Sequence, residues 1–224
     1  MSESQLIVAP HADDETLGCG GIIHKSNAQG WESHWLLITG MTSQHGYSDE
    51  QVRKRNSMVE AVALRLGFNT TTRLDLAPAE LDLVPMQQLV ASIGRAIRET
   101  RATRVFLPFP GDAHSDHRIV FEAGMACAKW FRYPDLRRVL AYETVSETGF
   151  GLDPGMPTFR PNWYENIEDH LEAKLDAFKL YASEAGDFPF PRSRETLEAL
   201  ARLRGSESGF AAAEAFMLLS SRHD

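Results

Sequence analysis

The sequence predicts an α/β fold in which helices flank a mostly parallel β-sheet. The main observation is an alternation along the chain: short apolar runs typical of buried strands are separated by segments with apolar residues at helical spacing. The composition, 43% hydrophobic and 24% charged residues, is that of a globular protein. There is no internal repeat, low-complexity tract or linker. We therefore expect residues 1–224 to form a single domain.

The apolar runs predict five strands, and prolines mark the ends of two of them. Leu6-Ile7-Val8-Ala9 is uninterrupted and stops at Pro10, and the run at 104–107 stops at Pro108. Runs of this length, bounded by turn residues, are typical of strands buried on both faces of a sheet. The predicted strands are 6–9, 35–38, 72–76, 104–107 and 138–142.

The helices are predicted from apolar residues three and four positions apart. The clearest segment is 49–66, which is followed by Gly67 at the position of a helix C-cap. Polar or Gly/Pro-rich loops are expected at 39–48 and 149–161, and 210–219 is apolar. The predicted helices are 21–29, 49–66, 86–98, 119–131, 167–181 and 193–203.

Charge and composition exclude several classes of protein. The formal net charge of −8 argues against nucleic acid and anionic membranes as partners, because both attract basic surfaces. No apolar run is long enough to span a bilayer. The first five residues have no basic region typical of a secretory signal, and two cysteines are too few for a disulfide framework. We expect a cytoplasmic protein that acts on a small molecule, and the apolar C-terminal segment is compatible with a homo-oligomer.

Two polar clusters follow predicted strands. The first is Pro10-His11-Ala12-Asp13-Asp14-Glu15, directly after the strand at 6–9, and the second is Asp112-Ala113-His114-Ser115-Asp116-His117, shortly after the strand at 104–107. In parallel α/β sheets, ligands bind beyond the carboxyl ends of the strands. Both clusters therefore lie where a binding site is expected.

The first cluster places three adjacent acids behind a histidine, an arrangement that a divalent cation would stabilise. Imidazole and carboxylate ligands suit Zn²⁺, and Fe²⁺ or another divalent ion is an alternative. The simpler interpretation is that both clusters are solvated turns, with Asp14 or Asp116 capping a helix. Two clusters at strand ends of one sheet favour the metal site.

The motifs resemble those of a known family. Pro10 to Glu15 resembles the (A/P)HPDDE motif of the PIG-L/LmbE family of zinc-dependent N-acetylglucosamine deacetylases, and His114-Ser115-Asp116-His117 matches its HxDH motif. Residues 174–183 and 205–216 resemble the C-terminal stretches of bacterial members. The resemblance covers essentially the whole chain and implies a Rossmann-like fold.

The resemblance also implies roles for individual residues. His11, Asp14 and His117 would bind zinc, Asp13 would be the general base, and His114 would stabilise the oxyanion. Asp116 would be a partner that fixes the tautomer or charge of His114. The implied reaction is hydrolysis of the N-acetyl group of an N-acetylglucosamine-type conjugate, which releases acetate and the free amine.

Some positions differ from the family pattern or carry weaker signals. Ala12 replaces the usual proline, Ser183-Glu184 replaces a Ser-Gln pair, and Arg53 and Arg55 remain alternatives for a substrate-contacting arginine. Glu15 is expected to be a helix-start carboxylate, and Asp112 either a turn residue or an acceptor for a ligand.

Other functions compete with this one. A metal-dependent hydrolase acting on another acylated metabolite, an Fe²⁺ oxygenase and a non-catalytic carbohydrate-binding protein are alternatives. An oxygenase would leave Asp13 without a role, and binding alone requires neither Asp13 nor His114. The glycines at 18, 20 and 21 do not have the GxGxxG spacing, so we reject a dinucleotide site.

Overall fold

The computed structural model describes residues 3–223 and has a seven-stranded sheet at its centre, with the order β3-β2-β1-β4-β5-β7-β6. Strands β1 to β5 pair in parallel, and β7 runs antiparallel to both of its neighbours. The mostly parallel α/β fold predicted from the sequence is thereby confirmed. The strands are β1 (Ser4–Ala9), β2 (Glu32–Thr39), β3 (Thr70–Leu76), β4 (Arg104–Pro108), β5 (Arg138–Tyr142), β6 (Trp163–Asn166) and β7 (Ala213–Ser221).

The central strands contain continuous apolar runs because both faces of the sheet are covered. In β1, Ile7 and Ala9 pack into the core on one face, while Leu6 and Val8 pack into the core on the other. All four are at most 1% exposed. Burying one such aliphatic side chain contributes about 1.5–3 kcal/mol. These strands form a rigid layer whose carboxyl ends can hold functional groups in place.

Six helices cover the two faces of the sheet in the described part of the chain. Helices α3 and α4 contribute to one core, and α1, α2, α5 and α6 to the other. None of the helices is long and apolar enough to cross a membrane. Their bounds are α1 (Asp14–Ala28), α2 (Asp49–Leu66), α3 (Met86–Thr100), α4 (Ser115–Ala126), α5 (Leu171–Phe178) and α6 (Arg194–Ser208).

The predicted bounds are correct for α2 and wrong for α1 and α4. Helix α2 begins after a capping box at Ser48 and ends at Gly67, which has a φ of 76°. Helix α1 begins at Asp14 and not at Gly21, and α4 covers 115–126 and not 119–131. The first turns of α1 and α4 are polar and face the functional site, so apolar periodicity does not reveal them.

The glycines near the start of α1 allow the helix to approach its neighbours closely. A Cβ atom on Gly18 would lie 2.3 Å from Cδ2 of Tyr142, and one on Gly21 would lie 2.7 Å from Cγ2 of Ile167. Larger residues at these positions would push the helix away from β5 and from the segment before α5. The glycines therefore have a packing role that sets the position of the first polar cluster.

A buried ion pair, which we call the helix anchor, joins α1 to α5 and β7. Lys174 in α5 donates to an oxygen of Glu214 in β7 at 2.7 Å and to the carbonyl oxygen of Leu17 at 2.8 Å. The Glu214 carboxylate also accepts hydrogen bonds from the backbone N–H groups of Gly21 and Ile22, at 2.8 Å and 2.7 Å. The C-terminal half of the chain thus holds the helix that carries the first cluster.

Candidate metal centre and active site

The two polar clusters meet at one edge of the sheet. Strands β1 and β4 are parallel neighbours, with Ile7 opposite Phe106, so the residues after their carboxyl ends lie side by side. The chain order changes direction between these two strands, which is where α/β sheets form their binding crevices. The rings of His11 and His117 lie 5.4 Å apart, and those of His11 and His114 lie 4.3 Å apart.

One oxygen of Asp14 lies between two imidazole rings. Its Oδ2 atom is 3.3 Å from Nδ1 of His11 and 3.3 Å from Nε2 of His117. One ligand atom from each of these residues lies within 4.8 Å of the others. In a tetrahedral site with bonds of ~2.0–2.1 Å, ligand atoms are separated by roughly 3.4 Å. The three predicted ligands therefore lie at distances that suit one small divalent cation.

Carboxylates hold the other nitrogen of each imidazole. Asp116 lies 2.9 Å from Nε2 of His11, and Asp112 lies 2.7 Å from Nδ1 of His117. When these nitrogens donate to the carboxylates, the lone pairs of His11 Nδ1 and His117 Nε2 point toward Asp14. Such carboxylate–imidazole pairs are a common feature of metal sites, where they fix the tautomer and the ring orientation.

Both supporting carboxylates are themselves held in place. Asp116 accepts hydrogen bonds from the backbone N–H groups of Ala79 and Leu81, at 2.9 Å and 3.4 Å, and Asp112 accepts one from the hydroxyl of Thr148 at 2.6 Å. Asp112 is thus an acceptor for a histidine, one of its two predicted roles. The Asp116 carboxylate hydrogen-bonds His11 and lies 3.8 Å from His114 Nδ1, so the contact of Asp116 with His114 is made by its backbone N–H, at 3.2 Å, and not by its carboxylate.

A second group of donor atoms, from His11, His114 and Asp116, also lies close enough together for a metal. In this group, His11 Nε2 and Asp116 Oδ2 hydrogen-bond to each other at 2.9 Å, and Asp116 also accepts two backbone N–H groups, whereas Asp14 accepts only one within residues 3–223, that of His11. His114 Nδ1 accepts a hydrogen bond from the backbone N–H of Asp116 at 3.2 Å. The group of His11, Asp14 and His117 is therefore the better metal centre.

The charges of the three residues fit this centre. Burial would raise the pKa of Asp14, but the neighbouring His117 and His11 hold it well below its usual range. Burial likewise opposes protonation of the histidines. Hydrogen bonds to Asp116 and Asp14 nevertheless raise the pKa of His11 to about 9, and Asp14 and Asp112 raise that of His117 well above normal. The carboxylates at the centre thus favour positive charge between them, which a divalent ion can supply in place of protons.

Asp13 stands next to these ligands in a strained backbone conformation. Its φ of 147° is rare for a non-glycine residue, and such strain costs roughly 1–3 kcal/mol. Glu15 holds the strained residue by accepting a hydrogen bond from its backbone N–H at 3.1 Å. Glu15 is fully buried and also accepts from Tyr181 and Thr16, so it supports Asp13 and is more than the helix-start carboxylate expected from the sequence.

The Asp13 carboxylate is poised to exchange a proton. Burial, followed by the charge of Asp14, raises its pKa to about 8, and Arg192 opposes the shift. Arg192 Nη1 lies 2.8 Å from Asp13 Oδ2. A buried carboxyl group that titrates near neutral pH can both take up and release a proton, as a general base must.

His114 is the most accessible of the three histidines, with a side chain that is 31% exposed. It caps α4 by accepting the backbone N–H of Asp116 at Nδ1, so the neutral ring carries its proton on Nε2. Burial and the nearby His11 lower the pKa of His114, which favours that neutral form. The ring can therefore donate a hydrogen bond to an oxygen in the crevice.

Arginines at the site were the least predictable residues. Of the two alternatives from the sequence, Arg55 faces the site: it donates to the carbonyl oxygen of Ala12 at 3.1 Å and to Glu184 at 2.6 Å, whereas Arg53 is exposed. Arg192 could not be predicted from the sequence, because its Pro-Arg-Ser context resembles any segment that leads into a helix. No local signal marks it.

A small cavity of about 70 Å³ opens beside this site, lined by His11, Arg55, Thr39, Met41 and Arg73, among others. A larger cavity of about 620 Å³ lies at the opposite edge of the sheet, near the amino ends of β1 and β2. It contains none of the residues of the two clusters. Of these two cavities, the small one, which His11 lines, therefore adjoins the candidate metal centre.

Comparisons with known proteins agree with this geometry. The model of a family described as PIG-L, GlcNAc-PI de-N-acetylase, matches residues 6–128, which is more than half of the chain and includes both clusters. The chain is 27% identical over 223 residues to the diacetylchitobiose deacetylase of Thermococcus kodakarensis, covering 93% of this chain and 80% of that protein.

Solved structures share the fold. The N,N'-diacetylchitobiose deacetylase of Pyrococcus horikoshii superposes with a TM-score of 0.77 at 22% identity, covering 98% of this chain and 84% of that one. The 4-carboxy-2-hydroxymuconate hydratase of Pseudomonas putida KT2440 superposes with a TM-score of 0.73 at 17% identity, covering 99% and 98%. The same architecture thus occurs in proteins named for different reactions. The fold therefore does not identify the reaction, which has to be inferred from the residues of the site.

Proposed function

Because the chain belongs to the PIG-L family of de-N-acetylases, we propose that this hydrolase removes the N-acetyl group from an N-acetylglucosamine-type conjugate with the help of Zn²⁺. The products are acetate and the free amine. One observation carries the proposal: an oxygen of Asp14 lies between two imidazole rings, and the other nitrogen of each ring is hydrogen-bonded to a carboxylate. Asp13, adjacent to Asp14 in the chain, provides a further carboxylate at this place.

His11, Asp14 and His117 would hold the ion, and the mixture of nitrogen and oxygen donors suits Zn²⁺, with Fe²⁺ or another divalent ion as the alternative. When bound, the ion supplies Lewis acidity, which activates water and polarises the amide carbonyl group. Asp116 and Asp112 keep the two imidazoles oriented toward it.

Asp13 would act as the general base. As the oxygen of water bonds to the carbonyl carbon, Asp13 takes up a proton from that water. When the bond between carbon and nitrogen breaks, Asp13 returns the proton to the departing nitrogen, so that a neutral amine leaves. Burial and the neighbouring charge of Asp14 raise the pKa of the Asp13 carboxyl group, which favours the uptake of a proton.

His114 would stabilise the oxygen that becomes negatively charged when water adds. Its Nε2–H is free to donate because Nδ1 already accepts a backbone hydrogen bond. Donors that face a developing oxyanion commonly contribute 10²–10³-fold in rate. Arg55 and Arg73 line the adjacent cavity and offer donors for hydroxyl groups of a sugar.

The test combines metal analysis with product analysis. Purified protein is incubated with N-acetylglucosamine, its alkyl and aryl glycosides and a set of N-acetyl amides without a sugar, and both acetate and free amine are quantified. We expect about one divalent ion per chain, acetate release from the glucosaminides, loss of hydrolysis with a chelator and recovery with added Zn²⁺.

Other outcomes separate the alternatives. Hydrolysis restricted to amides without a sugar indicates an amide hydrolase for another acylated metabolite. Binding of the sugars without acetate release indicates a carbohydrate-binding protein. Full activity in a metal-free preparation contradicts the role given to His11, Asp14 and His117.

A further inference from the structure

The loop between α5 and α6 contains an arginine whose guanidinium group contacts the proposed base, Asp13. Arg192, two residues before the first residue of α6, reaches across to Asp13, with Nη1 2.8 Å from Oδ2. The Asp13 side chain is 6% exposed and that of Arg192 is 21% exposed. This contact links the loop between α5 and α6 directly to the proposed base.

The guanidinium group of Arg192 is held on several sides. Its Nε donates to the hydroxyl of Ser146 at 2.7 Å, and its terminal nitrogens contact Glu184 at 3.3 Å and Glu147 at 3.5 Å. Glu184 in turn binds Arg55, which donates to the carbonyl oxygen of Ala12, next to Asp13. A planar group with this many partners is fixed in orientation, which a single ammonium group would not be.

Asp13 is constrained unequally at its two oxygens. Oδ2 accepts from Arg192, whereas Oδ1 accepts no hydrogen bond from any residue in the range 3–223. The torsion that rotates a carboxylate is soft, so one clamped oxygen decides where the other points. The backbone of Asp13 is fixed separately, by Glu15.

We infer that Arg192 is a positioning residue: it binds one oxygen of Asp13 so that the other is presented to the attacking water. The inference rests on the proposed function, because it assigns the orientation of the base used there. Two other roles compete with it. Arg192 could bind substrate, or it could only fasten the loop between α5 and α6.

The experiment compares Arg192→Ala and Arg192→Lys with the wild-type protein, using Arg194→Ala as the control. Arg194 lies two residues away and pairs with the exposed Glu172. For Arg192→Ala we expect kcat to fall about 10–100-fold, because small displacements of a reacting group cost that much. The KM should stay within about twofold of the wild-type value, since the substrate contacts remain. Metal content should be unchanged, and guanidinium ions added to Arg192→Ala should restore part of kcat.

Arg192→Lys covers the case in which the alanine variant does not fold. A lysine keeps the charge but cannot bridge Asp13, Ser146 and Glu184 together, so we expect a kcat between those of the alanine variant and the wild type. A kcat equal to that of the wild type in Arg192→Lys, or within threefold of it in Arg192→Ala, overturns the inference. An increase in KM at constant kcat would assign Arg192 to substrate binding and would also overturn the inference. The inference is likewise overturned if guanidinium ions do not improve the kcat of Arg192→Ala.

A crystal structure of Arg192→Ala separates this inference from the proposed function. If the wild-type protein releases no acetate from any glucosaminide, the proposed function fails, and the position of Asp13 still tests the role of Arg192. We expect the Asp13 carboxylate to rotate while His11, Asp14 and His117 stay in place. An Asp13 carboxylate in the wild-type position would show that Arg192 does not orient it.

Discussion

Two buried charged clusters contact α1, one at its first residues and the other at Leu17, Gly21 and Ile22, and they differ in how completely the protein satisfies their hydrogen-bonding groups. In the helix anchor, Glu214 accepts from Lys174 and from two backbone N–H groups, and Lys174 also binds a carbonyl oxygen. At the metal centre, Asp13 and Asp14 are adjacent and buried, yet one oxygen of Asp14 faces two imidazoles and one oxygen of Asp13 accepts no hydrogen bond within residues 3–223.

The difference separates structural charge from functional charge. A buried carboxylate with all its partners supplied by the protein stabilises one position of a helix and has nothing left to bind. A buried carboxylate with an unused oxygen has capacity for a ligand or a proton. Substitutions in the two clusters should therefore affect different properties: activity and metal binding at one, stability at the other.

The largest effect is expected for the neighbouring acids of the metal centre. Asp13→Asn keeps the shape of the side chain but cannot take up a proton at neutral pH, so turnover should fall roughly 10²–10⁴-fold with metal retained. Asp14→Asn should instead weaken metal binding, and excess Zn²⁺ should partly restore its activity. Metal content and turnover are measured on both variants.

The reverse pattern, with metal lost from Asp13→Asn and retained by Asp14→Asn, would show that the two roles are exchanged. Near-wild-type turnover in both variants would mean that the acids only cap α1, because Asn caps helices about as well as Asp.

The second prediction concerns the helix anchor. Lys174→Met leaves the Glu214 carboxylate buried without its cation, and removing one partner of a buried pair costs about 3–5 kcal/mol. The free energy of unfolding from denaturant titration checks this. Turnover per folded molecule should change far less than in Asp13→Asn.

Lys179→Met is the matched control, because Lys179 pairs with Asp176 at the surface and its side chain is 61% exposed. Its effect on the free energy of unfolding should stay below about 1 kcal/mol. Equal effects of the two lysine substitutions would mean that the buried pair does not anchor α1.

The third prediction returns to the metal centre. His114→Ala should lower kcat by roughly 10²–10³ if the imidazole donates to the oxyanion, with the metal retained, because His114 lies outside the group of His11, Asp14 and His117. Steady-state kinetics and metal analysis test it. Loss of the metal from His114→Ala would show that His114 and His117 have exchanged roles.

The smallest effect is expected for Asp112, which contacts the proposed ligand His117 and is not itself a proposed ligand. Asp112→Asn weakens the hydrogen bond that orients His117 but leaves every proposed ligand in place, and changes of this kind cost about 10–100-fold in metal affinity. Competition with a chelator of known affinity measures it. An unchanged affinity would mean that burial alone fixes the His117 ring.

Much of the fold could be predicted because it depends on local patterns. Helix α2 has its bounds where the periodicity and Gly67 place them, and the runs at 6–9 and 138–142 lie in strands that are buried on both faces. The predicted end of helix α4, residue 131, lies beyond its actual end at Ala126, because Trp130 and Phe131 continue the apolar pattern but are exposed, at 65% and 64%. Apolar periodicity predicts a buried helix face, and the prediction fails where apolar residues lie at the surface.

The sequence by itself identified the candidate residues for the proposed chemistry. His11, Asp13, Asp14, His114 and His117 stand in two short motifs after apolar strands, and strand order then brings the motifs together. Spacing of a few residues is a local property, and the parallel sheet converts it into a shared position in space.

Only the tertiary structure decided which groups support those residues. The Asp116 carboxylate binds His11 while its backbone N–H binds His114, Glu15 holds the backbone of Asp13, and Arg192 reaches Asp13 from 179 positions away in the sequence. The partner of a buried charge is the group that packing brings within about 3 Å, and packing depends on every element around the site. A local motif presents the candidate reacting groups, whereas the fold as a whole selects the neighbours that contact them.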